Sequence, residues 1–179
     1  MNTNRSSHQE SILKICICAI FTALICVGTF ISIPLPFGYF NLGDIVILLC
    51  AWSISPVYAA IASAMGAGLA DLLMGFTLYV PATIVIKALM AVCASLTLKT
   101  FKKMFASKKA DILSRIISSV CAELVMVIGY FSYEYVLYGN GAFASVIGNL
   151  LQGVCAITVA SAFGKLFESR VSNKLFCKR

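Results

Sequence analysis

The stretch GDIVILLCAWSI, residues 43–54, decides the fold, because the number of membrane crossings depends on whether this short apolar run spans the bilayer. A helix needs about 20 apolar residues to cross a hydrocarbon core of about 30 Å. Tilting, or local thinning of the bilayer, accommodates a shorter helix at a modest energetic cost. The other apolar runs are all of spanning length and comprise residues 12–32, 56–75, 80–98, 112–137 and 142–167.

The basic residues indicate that the short run does span, because cytoplasmic loops of membrane proteins are enriched in lysine and arginine. Without this crossing, both later basic clusters would lie outside the cell while the N-terminus stayed inside. The opposite loops, 33–42, 76–79 and 138–141, contain no lysine or arginine. We therefore predict an all-α membrane protein, a bundle of six transmembrane helices with cytoplasmic N- and C-termini. This arrangement puts thirteen of the fourteen basic residues on the cytoplasmic side: Arg5, Lys14, Lys99, Lys102, Lys103, Lys108, Lys109, Arg115, Lys165, Arg170, Lys174, Lys178 and Arg179.

The composition independently indicates an integral membrane protein. Of the 179 residues, 60% are hydrophobic and 12% are charged, whereas soluble domains contain about 25% charged residues. No polar stretch is long enough for a separate soluble domain, so we predict a single transmembrane domain over residues 1–179. Residues 1–11 are predicted to form a cytoplasmic N-terminal tail, residues 168–179 a basic cytoplasmic tail, and the proline-containing segment 33–42 a loop.

Motifs for catalysis and metal binding are absent from the sequence. It contains no HExxH, no GxSxG and no GxxxxGK(S/T) motif, so no metalloprotease, serine hydrolase or phosphate loop is indicated. Seven of the eight cysteines fall in apolar runs, where a free cysteine behaves as a small hydrophobe. The only histidine, His8, lies in the polar N-terminal tail. We predict no enzymatic activity, no cofactor and no metal site.

One lysine, Lys87, lies in the middle of the apolar stretch YVPATIVIKALMAV, residues 79–92. An ionisable side chain inside a membrane is costly and marks a functional site by default. Lys87 follows Pro81, a favourable first helical residue, by six positions, which places it about 9 Å below the outer end of its helix. Helical spacing puts Tyr79 and Thr83 on the same stripe.

The fifth and sixth helices present polar groups at a similar depth. Glu123, Tyr130 and Glu134 share one face of the fifth helix, and Ser145, Asn149 and Gln152 align on the sixth. Tyr130 and Asn149 are both about 12 Å below the outer ends of their helices. The pattern predicts a pocket for a small polar ligand that enters from outside, because each buried donor or acceptor needs a partner.

A structural role for Lys87 is equally open at this stage. Asp71 lies about 6 Å below the end of the neighbouring third helix, where it could pair with the lysine ammonium. Glu123 is predicted to make a structural hydrogen bond to a neighbouring helix rather than to contact ligand. Trp52, near the cytoplasmic end of the second helix, is not expected to cap a ligand.

Small residues predict a close helix contact on the first helix. Ala19 and Ala23 are four positions apart, so they lie on one face where another helix can approach. Such pairs are common in membrane helices, and this one alone does not identify a partner.

Residues 41–92 resemble the substrate-binding S components of energy-coupling factor (ECF) vitamin transporters, within the subgroup for riboflavin, hydroxymethylpyrimidine and pyridoxine. Three short motifs carry the resemblance: Leu42-Gly43-Asp44, the glycine-rich helix ending in Ala70-Asp71, and Pro81-Ala82-Thr83 with Lys87. The resemblance implies six helices in the cell membrane, as in bacteria, and both termini in the cytoplasm.

The resemblance also implies a vitamin site near the outer face and two kinds of partner. Ala19 and Ala23 match the residues that contact the transmembrane coupling subunit in this family, and two cytoplasmic ATPases complete the complex. Asp44, Asp71 and Thr83 would support the site through ion pairing or hydrogen bonding. The residues that correspond to the vitamin pocket are Phe40, Asn41, Tyr79, Lys87, Tyr130, Glu134, Asn149 and Gln152.

Two other functions stay open on the sequence. A self-contained ion-coupled transporter could use Lys87, Asp71 and Glu123 as a relay, although no internal repeat typical of such transporters is visible. A membrane scaffold without transport activity would place none of its polar residues on a cavity.

Overall fold

The computed structural model describes residues 7–35, 38–104 and 108–175, and this part of the chain is mostly helical. Arg5, Lys178 and Arg179 of the predicted tails lie outside the described residues. The elements in chain order are α1 (Ser7–Phe30), β1 (Ser32–Leu35), β2 (Gly38–Asn41), α2 (Gly43–Ser53), α3 (Pro56–Leu73), α4 (Val80–Met104), α5 (Lys108–Tyr138), a 3-10 turn (Gly139–Gly141) and α6 (Ala142–Leu175).

The helices have the length and surface of membrane-embedded elements. The segments His8–Phe30, Pro56–Leu73, Val80–Met104 and Asp111–Phe167 are each long and apolar enough to cross a bilayer, and α2 is a shorter apolar helix. The last segment includes both α5 and α6, which pack against each other after the 3-10 turn. Large apolar side chains such as Val27, Leu89 and Val136 are more than half exposed. Exposed apolar surface of this extent indicates contact with lipid.

The bundle has two distinct ends. The strands β1 and β2, the segment 74–79 and the 3-10 turn lie at one end, which we call the hairpin end. The turn 54–55, the start of α1 and the end of α4 lie at the other, which we call the terminal end. The principal helix contacts are α1 with α3, α3 with α4, α4 with α5, α5 with α6, and α2 with α6.

Local sequence explains two of the helix boundaries. Pro56 occupies the first turn of α3, where its missing N–H and fixed φ angle are favourable. Gly75 adopts a φ of 83° just after α3 ends, a conformation that glycine reaches without steric cost. The chain therefore reverses over residues 74–79, and α3 and α4 pack as neighbours.

The segment 33–42, predicted to be a loop, instead contains an antiparallel β hairpin. Ile33 pairs with Phe40, and Pro34 pairs with Tyr39. A two-stranded sheet consists only of edge strands, where proline is tolerated, so the prolines do not prevent pairing. The Leu42 N–H donates to the Gly28 carbonyl over 3.0 Å, which fixes the hairpin to the end of α1.

The terminal end is closely packed around Trp52. The Trp52 Nε1–H donates to Ser118 Oγ over 3.0 Å, and Ser118 Oγ donates to the Ala94 carbonyl over 2.7 Å. The Arg115 guanidinium lies 5.3 Å from the centroid of the Trp52 ring, within cation–π range. Trp52 thus joins α2 to α4 and α5 at the end opposite the hairpin, in agreement with the expectation that it does not cap a ligand.

Candidate functional site

A cavity of about 440 Å³ lies at the hairpin end of the bundle. Its walls come from α1, the hairpin, α3, the segment 74–79, α4, α5, the 3-10 turn and α6. Apolar and aromatic groups form much of the surface, and hydroxyl, amide, carboxylate and ammonium groups project from several elements. This combination is typical of small-molecule sites.

Most of the residues singled out from sequence line this one cavity. Asp71 and Thr83, expected to support the site, also line it, but Phe40 does not. Side chains alternate along a strand, and here Tyr39 and Asn41 face the cavity while Phe40 lies between them in β2. The predicted pocket residues that line the cavity are Asn41, Tyr79, Lys87, Tyr130, Glu134, Asn149 and Gln152.

Lys87 forms its ion pair with Asp44, and not with Asp71, the partner that the sequence left open. Lys87 Nζ lies 2.5 Å from Asp44 Oδ1, and the two side chains are 3% and 0% exposed. Asp44 lies in the first turn of α2, so this contact places the start of the short helix at the depth of Lys87 within the bundle. The ammonium also lies 5.4 Å from the centroid of the Tyr130 ring, which adds a cation–π contact.

Asp44 connects the ion pair to the hairpin through Gln152. Gln152 Nε2 donates to Asp44 Oδ2 over 2.5 Å, and the Asn41 backbone N–H donates to Gln152 Oε1 over 3.0 Å. Asn41 Oδ1 in turn accepts the Gly43 N–H at the start of α2 over 3.0 Å. These bonds link α2, α4, α6 and the hairpin in a single buried network, which holds the base of the cavity in one arrangement.

Asp71 is bonded to a hydroxyl group of α4 rather than to the lysine. Thr83 Oγ1 donates to Asp71 Oδ2 over 2.5 Å, and Thr83 Oγ1 and Tyr130 OH lie 3.0 Å apart. This chain of three side chains joins α3, α4 and α5 along one wall of the cavity.

A second carboxylate on the cavity wall is that of Glu134 in α5. Tyr79 OH donates to Glu134 Oε1 over 3.4 Å, and Ser145 Oγ donates to Glu134 Oε2. Burial raises the pKa of the Tyr79 hydroxyl, so this group stays protonated and acts as a donor. Tyr79, which follows α3, is thus joined to α5 and α6 through one carboxylate.

Several cavity residues were missed at the level of sequence. Tyr39 and Phe76 place their ring centroids 5.1 Å apart, and Thr29 and Tyr138 also contribute to the lining. Only the pairing of β1 with β2 determines which hairpin residues face inward. Residues 36–37 between the strands lie outside the described residues.

Glu123 does not line the cavity and makes no hydrogen bond within the described residues, so the predicted hydrogen bond to a neighbouring helix is wrong. The side chain is only 4% exposed and lies against Gly153 of α6. It contributes a buried carboxyl group between the cavity and the packed terminal end.

Ala19 and Ala23 lie in a separate apolar groove on the outer surface of α1 and α3. Both residues are exposed, and the groove also involves Thr22, Tyr58 and Met65. The groove is almost free of polar groups and is distinct from the cavity, with which it shares no lining residue.

Among the described residues, 7–35, 38–104 and 108–175, no three His, Cys, Asp or Glu side chains come together as a metal site would require.

The chain is similar to known proteins both in sequence and in fold. The sequence profile of the family described as "ECF-type riboflavin transporter, S component" matches residues 9–169. A protein of Pyrococcus woesei described as "Uncharacterized protein in gap 3'region" is 34% identical over 143 residues, which cover 79% of this chain and 90% of that protein. A solved structure of the S component of a bacterial ECF transporter has a similar fold, with a TM-score of 0.64 and 24% identity over 93% of this chain and 98% of that one.

Proposed function

Because the chain belongs to the family of S components of ECF-type riboflavin transporters, we propose that it is the subunit that binds a small heteroaromatic vitamin for an ECF-type ABC importer. The observation that carries this proposal is the cavity of about 440 Å³ at the hairpin end. It combines aromatic walls with polar groups from the hairpin, the segment 74–79 and five of the helices, as a site for a flat, hydroxyl-bearing ring requires.

We propose that six helices cross the cell membrane, with the hairpin end outside and both termini in the cytoplasm. The distribution of basic residues supports this orientation, since Lys99, Lys102 and Lys103 lie near the terminal end while the loops of the hairpin end contain none. With 11 residues, α2 is only about 16 Å long. It would complete its crossing together with the hairpin that precedes it.

The proposed ligand is riboflavin, hydroxymethylpyrimidine, pyridoxine or a close relative. Tyr39 takes the place in the pocket that the resemblance gave to Phe40, and its ring would stack on the ligand together with those of Tyr79 and Tyr130. Asp44, Asp71 and Thr83 would hold Lys87 and Tyr130 in place through the ion pair and hydrogen bonds described above. The residues proposed to contact the vitamin are Tyr39, Asn41, Tyr79, Lys87, Tyr130, Glu134, Asn149 and Gln152.

The proposed partners are a transmembrane coupling subunit and two cytoplasmic ATPases. The sequence contains no phosphate loop, so ATP hydrolysis would come from other chains. The exposed groove at Ala19 and Ala23 is a surface against which a helix of the coupling subunit could pack closely.

Mass spectrometry of small molecules released from gently purified protein tests the vitamin-binding function. A bound heteroaromatic vitamin near one equivalent supports it, and uptake of that vitamin should require the coupling subunit and ATPases. Ion-driven uptake by the chain alone would instead favour a self-contained transporter, in which Lys87, Asp71 and Glu123 act as a relay. Protein that binds none of the three candidate vitamins would refute the proposal.

Copurification with the coupling subunit tests the partner surface separately. Ala19→Leu with Ala23→Leu should abolish copurification and leave vitamin affinity unchanged, because the groove and cavity are separate. Ile20→Leu is the matched control, since Ile20 is exposed on the same helix but outside the groove. Normal assembly of the double variant would exclude this surface.

A further inference from the structure

We propose that the cavity selects vitamins that carry no phosphate group, and that Asp71 and Glu134 enforce this selection. The proposal rests on the vitamin-binding function and specifies its ligand more narrowly. The expected ligand is uncharged or cationic and presents hydroxyl or amino groups to the two carboxylates.

The charges on the cavity wall are predominantly negative. Asp71 and Glu134 both line it, and Lys87 is the only lysine, arginine or histidine among the lining residues that the structure describes. The Lys87 ammonium is already paired with Asp44 at 2.5 Å, so it does not supply a free positive charge. A phosphate placed here would meet two carboxylates without an unpaired cation to offset them.

The helix N-termini at the cavity are also unsuited to phosphate. Backbone N–H groups at a helix N-terminus are a common phosphate site. At the start of α2, however, Asn41 Oδ1 accepts the Gly43 N–H, and Asp44 lies in the first turn. Near the start of α6, Ser145 donates to Glu134. At the start of α4, Pro81 has no N–H to offer. At α2 an acceptor of the protein itself therefore occupies the Gly43 N–H, and near the start of α6 the Glu134 carboxylate would repel a phosphate.

The same carboxylates suit an uncharged, donor-rich ligand. A carboxylate has about four acceptor positions. One donor, Thr83, bonds to Asp71, and two, Tyr79 and Ser145, bond to Glu134. Each carboxylate therefore retains capacity for a hydroxyl or amino group of the ligand. Charge-assisted hydrogen bonds of this kind are stronger than neutral ones.

Calorimetric titration of the purified full-length protein with pairs of compounds, each a vitamin and its phosphate ester, tests the proposal. The pairs are riboflavin, pyridoxine and hydroxymethylpyrimidine, each with its own phosphate monoester. For any vitamin that binds, the phosphate ester should bind at least about 100-fold more weakly, because like charges would be brought together. Glu134→Gln and Asp71→Asn should each lower the ratio of the two dissociation constants, phosphate ester over parent vitamin, by about fivefold or more. Asp111→Asn removes a carboxylate that lies outside the cavity and should leave the ratio unchanged.

The outcomes separate this proposal from the general function. A phosphate ester that binds as tightly as its parent vitamin, or a ratio unaffected by both cavity variants, overturns the selection but not the vitamin-binding function. Failure of all six compounds to bind overturns that function and the selection with it. If Asp71→Asn does not fold, Glu134→Gln still decides whether a wall carboxylate causes the discrimination, because Glu134 lines the same cavity from another helix.

Discussion

The two halves of α4 differ in what they present to the rest of the bundle. Toward the hairpin end, Thr83 and Lys87 face the cavity. Toward the terminal end, Met90, Ala91 and Ala94 are fully buried in the core. One helix therefore contributes polar groups to the half of the bundle that contains the cavity, which we call the open half. It contributes apolar groups to the other half, which we call the packed half.

The two helices that follow repeat this division. In α5, Tyr130 and Glu134 line the cavity, whereas Ala122 and Met126 are fully buried in the core. In α6, Asn149 and Gln152 line the cavity, and Ala160 is fully buried. Buried polar groups are costly unless they are paired. The hairpin half presents such groups to an open cavity, whereas buried polar groups of the other half, such as Ser118, are bonded within the packing of the helices.

The packed half also constrains transport. A ligand in the cavity could reach the terminal end only if the packing around Trp52, Ser118 and Arg115 opened. If the proposed coupling subunits and ATPases supply the energy for transport, this packing need not open within the chain itself. The difference between the halves therefore yields predictions that separate affinity from stability.

The largest expected effect comes from Asp44→Ala in the open half. It leaves the Lys87 ammonium buried without its partner, which should lower the free energy of unfolding by about 3–5 kcal/mol and weaken vitamin binding by more than about 100-fold. Unfolding in detergent and calorimetric titration measure the two effects. Glu10→Ala is the control, because it removes a carboxylate from an exposed position in the first turn of α1, and surface substitutions of this kind usually change stability by less than about 0.5 kcal/mol. Equal effects of the two variants would contradict a special role for the Lys87 pair.

The next effect concerns stability alone, in the packed half. A Cβ at Gly164 would lie 2.5 Å from Trp52 Cζ3, so Gly164→Ala should destabilise the protein by about 1–3 kcal/mol. The vitamin affinity of the folded protein should not change. Phe163→Leu, at an exposed position on the same helix, is the control and should affect neither quantity. A loss of affinity in Gly164→Ala would show that the two halves are not independent.

A smaller effect distinguishes two neighbouring residues of the hairpin. Tyr39→Leu removes an aromatic side chain from the cavity wall and should weaken binding by about 2- to 10-fold. Phe40→Leu, one position further on, should change affinity by less than about twofold, because Phe40 does not line the cavity. The reverse order of effects, measured by the same titration, would mean that the hairpin pairs in a different register.

The smallest effect is expected at Glu123, between the halves. Glu123→Gln removes a buried carboxylate that makes no hydrogen bond, so stability should be unchanged or increased by up to about 1 kcal/mol. Vitamin affinity and uptake by the complete transporter should both be preserved. Strongly impaired uptake with normal affinity would instead indicate that Glu123 carries protons, as the alternative transporter would require.

Much of the division of the bundle into an open and a packed half could be predicted from sequence, because it depends on the local pattern of apolar and polar residues. Each apolar run coincides with a helix, and helical spacing placed Tyr79, Thr83 and Lys87 on one face. The resemblance to ECF S components, stated from three short motifs, is confirmed by the family match over residues 9–169.

The remaining features depend on contacts between distant segments. Lys87 and Asp44 are 43 positions apart, and the spacing within either helix does not show that they meet. The same applies to Gln152, which contacts Asp44 from 108 positions away. The hairpin was missed because its strands have only four residues each and contain turn-forming residues. Once the strands were missed, the choice between Tyr39 and Phe40 could not be made correctly.

The most direct test of the account is an experimental structure of the protein saturated with the vitamin that it binds. We predict density for the ring between Tyr39, Tyr79 and Tyr130, with hydroxyl or amino groups within hydrogen-bond distance of Glu134 or Asn149. The Lys87–Asp44 pair should be intact below it. A vitamin found in the groove at Ala19 and Ala23, or a cavity that stays empty while the vitamin is bound elsewhere, would contradict the account.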